Sequence, residues 1–219
     1  GREFQLNVIR KDQFDGPVRV DVAGLPTGFH ATTPIIVEAG QTFAFGSVYA
    51  SSDAGAPDPG IAAQSQFIAT ATIGGKEVRH ESPALEEIKL GTPAKIALEV
   101  VAKSGDPSPS AAAATKPLEL TLYPGETITA VIRANRVNFK ERIELGKEDS
   151  GRNLPHGVYV DNLGLSGLLI PEGTVEREFF LTAAKWVPEG DRLIFFRGKP
   201  DGGQTTPPIL LHIRNKKDL

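Results

Sequence analysis

The feature that most limits how this chain can fold is an internal duplication. In the first half Val8-Ile9-Arg10 is followed by Phe14, by the alternating run Val18-Arg19-Val20-Asp21-Val22, by Leu25-Pro26-Thr27-Gly28-Phe29 and by Ile35-Ile36-Val37-Glu38-Ala39-Gly40. The second half carries Val131-Ile132-Arg133, Phe139, Arg142-Ile143-Glu144-Leu145, Leu154-Pro155-His156-Gly157-Val158 and Leu168-Leu169-Ile170-Pro171-Glu172-Gly173 in the same order. The offset between matched blocks widens from 123 at Val8/Val131 to 133 at Gly40/Gly173, and the added residues fall where turns are expected. Matched blocks in one order read as a duplicated module, and 219 residues accommodate two domains of about 100 each.

Each module reads as all-β. Leu118, Leu120 and Leu122 alternate with Glu119 and Thr121, which gives one apolar and one wet face. Ile68 to Ile73, Gly74-Gly75 and Lys76 to Arg79 form a hairpin pattern in which the glycine pair supplies the positive φ of a tight turn. Leu193 to Arg197, a turn through Pro200-Asp201-Gly202-Gly203, and Ile209 to Ile213 make an equivalent closing pair. Helical periodicity is best at Ser82 to Lys89 and weak even there. Ser104 to Ser110 and the following alanines read as a linker. The expected organisation is therefore a module over 1–103, a linker over 104–115 and a module over 116–219. The second module has a leading strand, Leu118 to Leu122, ahead of its Val131 block; the first has only Gly1 to Leu6 ahead of Val8, so the first module either lacks that strand or lost it where the piece was cut.

Composition removes several chemistries. Without cysteine there is no disulfide, thiol nucleophile or cysteine-based zinc site. Without methionine the chain is expected to be an internal or processed piece. A net charge of −3 with no basic cluster excludes nucleic acid as a partner, and no apolar run is long enough to span a membrane. His30, His80, His156 and His212 have no metal-ligand spacing, and Gly164-Leu165-Ser166-Gly167 lacks the spacing of a nucleophile elbow. Glu148, Asp149, Asp161 and the pair Glu86-Glu87 read as charged loop tips, and no calcium-loop pattern occurs. No catalytic residue, metal or cofactor is expected, and the chain is read as not an enzyme.

The Leu-Pro-X-Gly block, followed by an extended segment and a Glu-Gly or Glu-Ala-Gly turn, resembles a pattern of bacterial immunoglobulin-like modules. The stretch from Gly146 through Leu154-Pro155-His156-Gly157-Val158-Tyr159 to Asn162 resembles tandem C-terminal modules of large exported proteins of planctomycete-type bacteria. That family has no assigned activity. The resemblance implies two tandem immunoglobulin-like β-sandwich domains and an exported location at the periplasm, the cell surface or beyond.

Exposed flat rings are the remaining binding signal, because sugar-binding sandwiches stack them on pyranose faces. Trp186, the single tryptophan, lies beside the turn Val187-Pro188-Glu189-Gly190 and reads as a ring capping the core, with a sugar platform as the alternative. Tyr159 and His30 occupy matched positions after the Leu-Pro-X-Gly corner, as half-buried structural residues or, alternatively, as a shared docking position. The expected function is a structural or adhesive module pair that spaces or attaches a functional domain in a larger exported or cell-envelope protein. Its expected partners are the parent protein's other domains, and a polysaccharide or a protein. The alternative is a carbohydrate-binding accessory module.

Overall fold

The computed structural model describes residues 1–83, 88–103, 117–147, 150–161 and 164–216. It divides into two compact units, Gly1–Thr92 and Pro93–Leu219. Unit 1 consists of β1 (Arg2–Asn7), β2 (Val18–Ala23), β3 (Phe29–Ala31), β4 (Ile35–Val37), β5 (Phe43–Ala50), β6 (Gln66–Ile73) and β7 (Lys76–Glu81). One sheet runs β1-β5-β3 and the other β4-β2-β6-β7. Alternation sets the faces: Val18 and Val20 of β2 point inward while Arg19 between them is exposed. With Leu6, Ile35, Val37 and Ala44 they form the buried core. The Gly74-Gly75 turn between β6 and β7 has φ of +58° and +77°, as its sequence requires.

Unit 2 consists of β8 (Ile96–Ala102), β9 (Leu118–Leu122), β10 (Thr127–Arg136), β11 (Ile143–Gly146), β12 (Gly151–Arg152), β13 (Val158–Asp161), β14 (Leu168–Ile170), β15 (Glu176–Ala183), β16 (Gly190–Phe196) and β17 (Ile209–Ile213). Its strand order β13-β15-β10-β8 faces β12-β16-β17-β9, with β11 and β14 paired beside them. That is the A-B-E-D sheet of an immunoglobulin-like sandwich, with a short strand running parallel to the last strand of the opposing sheet. Among the described residues unit 1 has a similar plan without counterparts of β8, β9 and β12, and its β2 and β4 join β6 and β7 in one sheet where β11 and β14 pair separately. Both units are all-β, immunoglobulin-like sandwiches.

The division falls at Thr92/Pro93 rather than after residue 103. Ile96 to Ala102 is a strand, but its ladder partner is β10, from Ala130↔Ala102 to Arg136↔Ile96. Alternation identifies a strand without saying which sheet receives it, and this segment has no mate in the repeat to indicate its side. The expected linker 104–115, and residues 84–87 of the helical reading at Ser82 to Lys89, lie outside the described residues.

The structure also resets the first block of the repeat. Sequence matching sets Arg10 against Arg133; the structural counterpart of Arg10 is Arg136. The Arg10 guanidinium donates to the carbonyls of Gly16 (2.6 Å), Glu38 (2.8 Å) and Gln41 (2.8 Å). That of Arg136 donates to Glu141 (2.5 Å), Pro171 (3.1 Å) and Thr174 (3.1 Å). Each lies over a phenylalanine ring, Phe14 at 5.6 Å and Phe139 at 5.8 Å. The strand ladders agree, since Val8 N–H donates to Thr42 and Ala134 N–H to Val175.

In that register the two cores differ by one exchange. Phe4 pairs with Gly46, whereas in unit 2 the matched positions are Ala130 and Phe179. The large ring has moved from one strand to its neighbour, and it meets an aromatic of the opposing sheet in both units: Phe4 with Phe67 at 5.3 Å, Phe179 with Phe196 at 4.8 Å. A Cβ on Gly46 would lie 2.2 Å from Phe4 Cζ and 2.7 Å from Ile35 Cδ1. Gly46→Ala is therefore expected to destabilise unit 1 by about 1–3 kcal/mol through overpacking. Adding Phe4→Leu is expected to recover part of the loss, as measured by urea unfolding of the full chain.

Candidate functional site: exposed rings and a polar cluster

The Leu-Pro-X-Gly corner is built identically in both units. Phe29 N–H donates to Pro26 (3.0 Å) and Val158 N–H to Pro155 (2.8 Å). Gly28 and Gly157 sit at φ +81° and +87°, a region that strains other residues. Their carbonyls accept from Ser51 and Ala184 N–H, which docks each corner on the strand beside it. His30 and Tyr159 consequently occupy matched register positions, opposite Tyr49 and Thr182. His30 stacks on Tyr49 at 5.5 Å and 25°, with its Nε2 3.1 Å from Ser51 Oγ; burial pushes the Tyr49 phenol up. Tyr159 is 50% exposed.

Trp186 follows β15 and is 60% exposed. Its ring lies over the corner rather than the core: a Cβ on Gly157 would be 2.5 Å from Trp186 Cη2. His156, the variable residue of Leu-Pro-X-Gly, meets the indole at 5.0 Å and 47°. The sequence marked Trp186 but not this neighbour, which comes within reach only because the corner folds back under the turn after β15. Within unit 2 the result is a solvent-facing ring shelf made by Trp186 and His156.

The second feature depends wholly on strand register. On the outer face of unit 2, His212 of β17 lies between Asp191 of β16 and Glu119 of β9. Its Nδ1 is 2.7 Å from Asp191 Oδ1 and its Nε2 3.4 Å from Glu119 Oε2. Arg214 donates to the same Asp191 oxygen at 2.5 Å. The only sequence signal was that these residues hold outward positions of alternating strands. The cluster is an ion-pair network across three strands of a solvated face. Among the described residues, no three His, Asp or Glu side chains gather as a metal site would need. Ser166 lies in a turn closed from Gly167 N–H to Gly164, and Glu86, Glu87, Glu148 and Asp149 fall outside the described residues.

No protein-family model matches the chain, and no curated protein matches it. Solved structures similar to it include the fibronectin(III)-like modules of Clostridium thermocellum CbhA, at 15% identity over 99% of this chain and 86% of that one, with a TM-score of 0.24. Another is a chimeric titin Z1Z2-Z1Z2 tandem functionalised with a GRGDS peptide from fibronectin, at 14% identity over 99% and 92%, with a TM-score of 0.25.

The hydrogen bond from His212, followed by that from Arg214, holds the Asp191 carboxyl below its ordinary value. Because the folded-state value is depressed, Asp191 adds stability above the usual carboxylate value of about 4, and that stability is lost as pH falls through the lowered value. Solvent exposure keeps the effect small. Melting temperature followed into acid is expected to fall less steeply for Asp191→Asn than for the parent chain.

Proposed function

We propose that the chain is a non-catalytic structural or adhesive module pair that spaces or attaches a functional domain in a larger exported or cell-envelope protein. The observation that carries this reading is the parallel pairing of β9 with β17, from Leu118↔Ile209 to Leu122↔Ile213. A load drawn along the chain enters unit 2 at β8, and once β8 is drawn off β10 it pulls the start of β9 and the end of β17 in opposite directions along their lengths. It therefore shears the whole ladder at once instead of opening it bond by bond. The arginine pins support the same reading, since each holds the loops at one end of its sandwich by backbone carbonyls. The partners in this reading are the neighbouring domains of the parent protein. Stretching single molecules of the full chain is expected to show unit 2 unfolding at higher force than unit 1, whose β7 has no parallel strand beside it among the described residues. Equal or lower force for unit 2 would remove the argument.

The exposed Trp186 shelf favours a second reading, a carbohydrate-binding accessory module. An indole with one face on the protein and most of its area in water offers a platform for a pyranose ring, and Tyr159 adds a second exposed ring on the same unit. A panel of polysaccharides distinguishes the two. Saturable binding lost in Trp186→Ala supports the carbohydrate module, and no binding across the panel counts against it.

A further inference from the structure

A carboxylate holds the end of unit 2 at which the chain enters. The chain passes into unit 2 at Pro93 and becomes β8 at Ile96. There Asp201 Oδ2 accepts from the backbone N–H of Lys95 at 2.6 Å and from that of Ile96 at 3.4 Å, across 106 and 105 residues of sequence. Asp201 lies in the turn between β16 and β17, in the sheet opposite the one that β8 joins. The ladder with β10 holds β8 along its length, from Arg136↔Ile96 to Ala130↔Ala102. The carboxylate ties the start of the strand to the other sheet as well, through hydrogen bonds of the stronger, carboxylate-accepted kind.

The turn is shaped to aim that group. Asp201 sits at φ +54° and ψ +39°, a region that strains residues other than glycine, although Gly202 and Gly203 follow it at φ +72° and +85°. Gln204, 5% exposed, donates from Nε2 to the Asp201 carbonyl at 3.2 Å and to Oδ2 at 3.4 Å, which fixes the side chain. The closing hairpin of unit 1 turns through Gly74-Gly75 and carries no such residue. Strain kept at a residue whose side chain reaches so far back along the chain points to a task for that contact.

We propose that Asp201 is a latch on β8: it holds the strand against a load drawn along the chain, and its release frees the stretch from Pro93 to Pro117 before the β9–β17 ladder bears the load. The inference rests on the spacer reading and names the device that governs its first step. The load reaches the first strand of unit 2 at Lys95 and Ile96, so the Asp201 bonds are among the first it meets, and the parallel ladder lies behind them in the chain. With β8 off, the chain ahead of β9 extends by at most about 85 Å, since an extended chain spans no more than ~3.4 Å per residue. A spacer built in this way yields length first and keeps the rest of its fold.

The test stretches single molecules of the full chain at constant force and reads amide hydrogen exchange of the same proteins without load. In the parent, a lengthening no greater than the Pro93 to Pro117 stretch is expected before the rest of unit 2 unfolds. Asp201→Gly keeps the left-handed turn, which glycine takes freely, and removes the carboxylate. It is expected to speed the first lengthening about tenfold and to leave the second step unchanged. Without load it is expected to speed exchange across β8 and to leave β9 and β17 as they are. Asp201→Asn keeps the turn and a neutral acceptor, and is expected to fall between the two. The latch is overturned if Asp201→Gly releases β8 no faster than the parent, or if its β9 and β17 amides loosen as much as those of β8. It is overturned equally if the parent loses β8 and the rest of unit 2 in one step. The spacer reading fails on a different measurement, a second step of unit 2 at no higher force than unit 1, and the exchange result stands apart from it.

Discussion

Much of each unit depends on one guanidinium. Arg10 and Arg136 each bind three backbone carbonyls drawn from two loops, the one leaving the first core strand and the one leading into the long central strand. Both loops carry the chain from one sheet to the other. Some of these carbonyls are part-buried and others exposed, and a planar cation with five N–H groups satisfies several at once. The phenylalanine under each guanidinium holds its plane. With the crossings tied together, the two sheets meet at a fixed spacing and their alternating residues can interdigitate.

Within that frame the two units solve the same packing problem differently. Unit 2 places its large ring on β15 and an alanine on β10, while unit 1 places the ring on β1 and a glycine on β5. Volume is kept and position is not, which is how a duplicated core diverges without losing its density. Unit 2 then adds β8 and β9, one to each sheet; Ile132 beside β8, Leu122 on β9 itself and Leu211 on the neighbouring β17 are fully buried. Unit 1, whose described residues hold no counterpart of those strands, has a smaller buried core, and its β7 is exposed throughout and mostly ionisable.

The candidate binding features follow from the same architecture. Rigid Leu-Pro-X-Gly corners, fixed by a glycine in the left-handed region and by hydrogen bonds to the neighbouring strand, hold His30 and Tyr159 at matched positions. The turn after β15 lays Trp186 across the unit 2 corner and next to His156. These rings differ between units, while the corner beneath them does not. The corner supplies the geometry in both units, and the residue after it varies.

The sequence by itself determined the all-β character, the duplication, the Gly74-Gly75 hairpin, the closing pair of β16 with β17 and the equivalence of the two corners, because each of these rests on local chemistry. Alternation at period two, positive φ at glycine and fixed φ at proline act over a few residues and are readable there. Tertiary structure alone decided which sheet receives Ile96 to Ala102, that Arg10 answers to Arg136 rather than Arg133, that Phe4 takes the place of Phe179, and that Asp191, His212 and Glu119 meet. Each of those depends on the register or partner of a strand. A strand carries no mark of its neighbour beyond which face is apolar, so pairing is settled only when the whole core closes.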